Sequence, residues 1–149
     1  MMKFLVLNGP NMNMLGLREP ELYGRASYAD LQQLVRSRAE TLKVEVEFVQ
    51  SNHEGGLVDA IQKAYFDGLD GIILNAAAYT HTSVALLDAL RGTGLPTVEV
   101  HITDPNRREE FRKTNFVRPA ALKTIAGRGL QGYVDALEFL ADWVEKRCK

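Results

Sequence analysis

KFLVLNGPNMNMLGLREPELYGRASYADLQQLVRSRAETLKVEVEFV, residues Lys3 to Val49, decides the fold. It opens on a short apolar run, Lys3 to Leu7, and breaks into an Asn-, Gly- and Pro-rich stretch. Apolar residues then recur three and four apart at Tyr28, Leu31, Leu34, Val35 and Leu42, before a second β-branched run from Val44 to Val49. The two short runs have the length and composition of strands, and the middle segment has the period of a one-sided helix. Ser27 and Asp30 stand ahead of that helix at capping-box spacing. A strand, a helix and a strand in this succession make parallel neighbours with the helix on one face.

The same alternation continues to the end of the chain. Gly71 to Leu74, Thr97 to Val100 and Thr124 to Ala126 read as three further strands. One-sided helices are expected around Leu57, Ile61 and Ala64, around Val84, Leu87, Ala89 and Leu90, and from Leu130 through Tyr133, Val134, Leu137, Leu140 and Ala141 to Val144. On the second of these, Val84, Leu87 and Leu90 are expected to pack inward with Asp88 beside the stripe. Ser51 with Glu54 repeats the capping-box spacing, and Asp104 before Pro105 suits an N-cap and first helical position. The expected fold class is α/β, a flavodoxin-like, five-stranded parallel sheet with helices on both faces, forming a single catalytic domain over residues 1–149. No repeat, linker or low-complexity tract interrupts it.

A domain of 149 residues buries roughly 70% of its unfolded surface without disulfide or metal staples. A charged fraction of 25% and a net charge of −1 give no basic surface for nucleic acid or an anionic membrane, so a small-molecule substrate is the expected partner. The only cysteine, Cys148, excludes an internal disulfide and a Cys-based metal cluster, which fits a reducing, cytoplasmic setting. The apolar run at Met1 to Leu7 is too short for a signal-peptide core, and no stretch approaches the ~20 apolar residues of a spanning helix.

Ligands of such sheets bind outside the carboxyl ends of the strands, and the unusual residues cluster there. After the first strand, Asn8 to Gly24 is long for a strand-to-helix loop and reads either as a surface turn or as a binding loop. Arg18 and Tyr23 favour the second reading. A phenol is a poor base at neutral pH, but a cation within ~4–6 Å favours its phenolate. After the second strand, His53 and Glu54 invite a metal reading, yet adjacent residues point apart and no HExxH or Cys partner accompanies them. No metal or cofactor is expected. After the third strand, Asn75, Thr80, His81, Thr82 and Ser83 offer hydroxyl, imidazole and helix-terminal donors suited to a hydroxylated, anionic ligand. In the fourth segment, Glu99 and His101 point to one side of a strand, so the carboxylate can orient the ring and favour its protonated form. The alternative is an edge strand whose polar residues face solvent. Arg107, Arg108 and Arg112 read either as a solvated face or as a carboxylate clamp.

These segments, LNGPN with REPELYG, QSNHEG, AYTHTS and EVH with REEFR, together resemble the type II 3-dehydroquinases from Phe4 to about Ala136. The resemblance implies dehydration of 3-dehydroquinate to 3-dehydroshikimate by an anti elimination through an enolate, with neither metal nor Schiff base, in the shikimate pathway or quinate catabolism. It implies Tyr23 as the base, Arg18 as its activator and Asn11 holding a water on the enolate. His101 becomes the acid, with Glu99 behind it. Asn75, His81 and Arg112 are implied to grip substrate hydroxyls, the backbone at Ile102 and Thr103 the carboxylate, and Asp88 a neighbour's site within a homododecamer, a tetramer of trimers. Ala76 and Ala77 stand where Pro and Gly are usual, Leu17 replaces a frequent Thr, and Asp104 replaces a frequent Asn. Asp104 adds a negative charge near the expected carboxylate cradle, which weakens binding unless Arg108 or Arg112 compensates.

Three rival readings are a flavin or nucleotide carrier, an inactive scaffold and a lysine–imine dehydratase. The first loop lacks a phosphate cradle, the catalytic positions are filled, and no lysine sits within an apolar strand interior.

Overall fold

The computed structural model describes residues 1–17 and 19–148, with the backbone alone at Leu22 and Tyr23. Five parallel strands, β1 (Lys3–Asn8), β2 (Glu45–Gln50), β3 (Gly71–Asn75), β4 (Thr97–His101) and β5 (Lys123–Ala126), form one sheet in the order β2-β1-β3-β4-β5. That is the flavodoxin-like order. Helices α1 (Pro20–Tyr23), α2 (Tyr28–Leu42), α3 (Glu54–Phe66), α4 (Val84–Thr93) and α5 (Gln131–Arg147) fill the connections, with short 3-10 turns at the rim.

The pleat sorts the core into two halves. Phe4 and Val6 face one side with Ile73, Val98 and Val100, where Leu31 and Val35 of α2 and Tyr133, Leu137 and Leu140 of α5 cover them. Leu5 and Leu7 face the other side with Ile72 and Leu74, beneath Leu57 and Ile61 of α3 and Leu86 and Leu90 of α4. The interior strands are apolar on both faces for this reason.

β1 to β4 each run one residue past the apolar segment read from the sequence, to Asn8, Gln50, Asn75 and His101. These polar residues continue the ladder, and register sets Asn8, Gln50 and Asn75 level with one another. The sheet itself therefore delivers side chains to the rim.

Two local expectations change, at Ser51 and on α4, and a third, at Asp104, holds on a shorter element. Ser51 does not cap α3 through Glu54; its Oγ accepts from the His53 amide at 3.0 Å, and His53 takes the N-cap position. As expected, Asp104 is the N-cap and Pro105 the first position, here of a single 3-10 turn, Pro105–Arg107, with the Asp104 side chain accepting from the Asn106 amide at 3.0 Å. On α4 the inward stripe is Leu86 and Leu90, while Val84 is 49% exposed. The buried N-cap Ser83, whose Oγ accepts from the Leu86 amide, sets that face. The capping box at Ser27 and Asp30 forms as expected, with both of its hydrogen bonds.

Candidate active site

The strand order reverses between β1 and β3, and a cleft opens beside their carboxyl ends. Pro10, Asn11 and Met12 follow β1 there, Asn75 ends β3 with Ala77, Ala78 and His81 beyond it, and His101 ends β4 with Ile102, Thr103, Pro105, Arg108 and Arg112 beyond it. Counting the open mouth, it encloses about 570 Å³, within the range of small-molecule sites.

β4 lies between β3 and β5 with every residue buried, so the solvent-facing edge reading of Glu99 and His101 fails. Alternation puts both side chains on one face, and His101 Nε2 meets Glu99 Oε2 at 2.6 Å. With Nε2 donating to the carboxylate, Nδ1 is the nitrogen left for a ligand. Burial pushes the Glu99 carboxyl up, but the hydrogen bond and charge of His101, with donors from Thr124 and Asn115, hold it below its ordinary value. The pair is an ionised carboxylate facing an imidazole.

His81 closes the 3-10 turn Ala77–His81, and its Nδ1 donates to the Thr114 carbonyl at 2.7 Å. A neutral ring then carries its lone pair on Nε2. Asn75 is 5% exposed and fixed from both ends of its amide: Oδ1 accepts from the Ala77 amide at 3.1 Å, and Nδ2 donates to the Tyr133 hydroxyl at 2.9 Å. Tyr133 in turn donates to Asn8 Oδ1 at 2.5 Å, and burial raises its phenol well above the ordinary value, so it stays neutral. Ala77 has a φ of 52°, a left-handed conformation strained for a residue with a Cβ, at the position where the resemblance expects glycine.

The three arginines separate. Arg107 has an 88% exposed side chain and pairs loosely with Asp104 at 3.7 Å, whereas Arg108 and Arg112 are largely covered and line the cleft. Arg107 therefore faces the Asp104 charge. Arg112 is held from behind by Glu109 at 2.5 Å. Ile102 and Thr103 form the turn beyond His101, tied down by Gly127 donating to the His101 carbonyl and Gly129 to that of Ile102.

Asn11 adopts a left-handed φ of 70° at the cleft, its amide donating to Asn52 Oδ1 at 3.0 Å. Asn52 also accepts from Gln50 at 3.1 Å, and its carbonyl accepts from the Tyr79 hydroxyl at 2.9 Å. Asn52 rather than His53 or Glu54 thus anchors the first loop. Asp88 lies apart, exposed on α4 beside Tyr65, Phe66 and Ala85. Arg18 and the Tyr23 side chain lie outside the described residues. Among the described residues, no three His, Cys, Asp or Glu side chains gather at metal-binding range, and no helix is long and apolar enough to cross a membrane. Sequence reasoning missed Pro10, Met12, Ala78 and Pro105 in the wall, and Asn52, Tyr133, Asn115 and Thr124 behind it. Only their spatial neighbours reveal them.

A family model described as dehydroquinase class II matches residues 2–141. The chain is 54% identical over 140 residues to "3-dehydroquinate dehydratase 1" of Corynebacterium efficiens, covering 94% of this chain and 92% of that one. It is 47% identical to the 3-dehydroquinate dehydratase of Caldicellulosiruptor bescii, covering 95% and 98%. The crystal structure of type II dehydroquinase from Butyrivibrio crossotus superposes with a TM-score of 0.92 at 46% identity, covering 93% of this chain and 97% of that one.

Proposed function

This chain belongs to the class II dehydroquinases and is a lyase that dehydrates 3-dehydroquinate to 3-dehydroshikimate; we propose that it does so by an anti elimination through an enolate, without metal or Schiff base. The observation that carries the mechanism is the buried Glu99–His101 pair facing a cleft that also gathers Asn11, Asn75, His81, Ile102, Thr103 and Arg112.

In this reading the Tyr23 phenolate, favoured by the Arg18 cation, takes the C2 proton. The electron pair passes into the adjacent carbonyl as an enolate, whose oxygen is stabilised by a water held on Asn11. The pair then forms the C1–C2 double bond as the C1 hydroxyl leaves, taking a proton from His101 to depart as water. Glu99 keeps the ring oriented. Asn75, His81 and Arg112 grip hydroxyls, and the amides of Ile102 and Thr103 hold the carboxylate.

Residues 1–149 act in this proposal as a single catalytic domain, cytoplasmic, in the shikimate pathway or quinate breakdown. Trimers, four to a dodecamer, bring Asp88 to a neighbour's cleft. Supporting this is the α3–α4 face, where Tyr65 is 51% and Phe66 82% exposed around Asp88. Adding 3-dehydroquinate to the purified protein should produce the absorbance of a conjugated enone. A flat trace would overturn the assignment. Borohydride with substrate should leave the protein's mass unchanged, and a covalent adduct would replace the enolate route with an imine.

A further inference from the structure

We infer that Asn115 and Thr124 are positioning residues for this reaction, clamping the Glu99 carboxylate in the one orientation that holds His101. The inference rests on reading His101 as the proton donor.

Glu99 is fully buried, and a buried carboxylate is tolerated only when its oxygens are hydrogen-bonded. Each oxygen is held from a different element. The Thr124 hydroxyl donates to Oε1 at 2.6 Å from β5, where register sets Thr124 directly opposite Glu99. Asn115 Nδ2 donates to Oε2 at 2.7 Å, the oxygen that also receives His101. Asn115 cannot turn away, because its own Oδ1 accepts from the amides of Val117 and Arg118, both at 2.8 Å. A carboxylate fixed at both oxygens has no rotational freedom left, so Oε2 stays on Nε2 of His101.

Both donors also favour the ionised carboxylate against the burial that opposes it. The other charged groups around the pair are Arg118, 4.0 Å from Oε1 with a half-exposed side chain, and His81, Arg108 and Arg112 across the cleft. The neighbour of Glu99 on β3 is the apolar Leu74, and the adjacent Lys123 on β5 lies over the Phe139 ring. None of these replaces a hydrogen bond to Oε1.

The test compares Thr124→Val and Thr124→Ser in the intact protein, with Thr124→Ala as a second hydroxyl-free variant should Val disturb β5. A packing role predicts that Val is tolerated and Ser is not, whereas positioning predicts the reverse. Thr124→Val should lower kcat about tenfold, the scale of one lost hydrogen bond to a charged group, with KM within about twofold, while Ser stays near the parent. The Glu99 carboxyl, followed by its carbon-13 resonance, should titrate about one unit higher in Val and Ala than in the parent. Equal losses in Val and Ser, or a Glu99 titration that does not move, would overturn the inference. That titration requires no turnover, so it is independent of the mechanism. A His101→Gln variant with full turnover would instead remove His101 as the acid.

Discussion

The Thr114 carbonyl, 2.7 Å from Nδ1 of His81, decides which nitrogen of that ring carries the proton. Burial is the main cause that lowers the His81 pKa, helped by the charges of Arg112 and His101 and opposed by the Thr114 bond. The ring is thus neutral near pH 7, with Nε2 free to accept from a substrate hydroxyl. Its folded pKa lies below the unfolded value of about 6.5, so the unfolded state binds more protons between the two. Stability should therefore rise with pH through that window and fall as the medium is acidified from 6.5 downward. Urea midpoints at several pH values, taken for the parent and His81→Phe, test this: the variant should lose part of the slope near pH 6. An unchanged slope would mean that His81 does not titrate as the geometry implies. Tyr23 carries the second expectation at this scale. Tyr23→Phe keeps the ring and removes the ionisable oxygen, so kcat should drop by at least ~10²–10⁴-fold with the circular dichroism unchanged. A variant with most of the parental turnover would take Tyr23 out of the mechanism. His101, Glu99, Asn75 and His81 were legible in the sequence because their residue types stand out at strand ends. Thr124 was not, since a threonine in a strand is ordinary until the β4–β5 register puts it opposite a buried carboxylate.

At the scale of elements, strand length was the part of the fold that the sequence blurred. Asn8, Gln50 and Asn75 read as the start of loops because they are polar, yet backbone pairing holds them in the sheet. Their side chains are carried by the most rigid part of the molecule, where a site needs precision. The exit of β1 is equally constrained. Gly9 donates its amide to the Asn75 carbonyl at 2.8 Å, and a Cβ on it would stand 2.5 Å from the Ala76 carbonyl oxygen. Neither partner is a side chain that can swing aside. Gly9→Ala should therefore cost ~1–3 kcal/mol, the range of overpacking, and should lower turnover by parting the two walls of the cleft. Chemical denaturation gives the first quantity and steady-state rates the second. Parental values of both would show that the rim yields without cost. Helix α4 shows a different limit of pattern reading. Val84, Leu87 and Leu90 fit an inward stripe by spacing, but the buried cap at Ser83 rotates the helix so that Leu86 faces in and Val84 faces out.

For the whole molecule, that rotation leaves Val84 49% exposed on α4, the helix whose Asp88 lies beside the open apolar surface of Tyr65 and Phe66. If this face meets another protomer, separation should abolish activity before helical signal is lost. Light scattering alongside rate measurements in mild denaturant decides the matter, and Asp88→Ala should raise KM in the intact assembly. A fully active monomer would remove Asp88 from any neighbouring site. The hydrogen bond from Tyr133 to Asn8 has a consequence in time as well as in space. It joins residues 125 apart, and through Asn75 it fixes one wall of the cleft. Parallel pairing of distant segments makes folding slow, because loop-closure entropy is lost before the contacts that reward it exist. A chain still on the ribosome holds β1 and β3 long before Tyr133 has emerged. Such a nascent chain can own most of the residues of the cleft while Nδ2 of Asn75 still lacks its bond to Tyr133, so that wall of the cleft is completed only when the last helix docks.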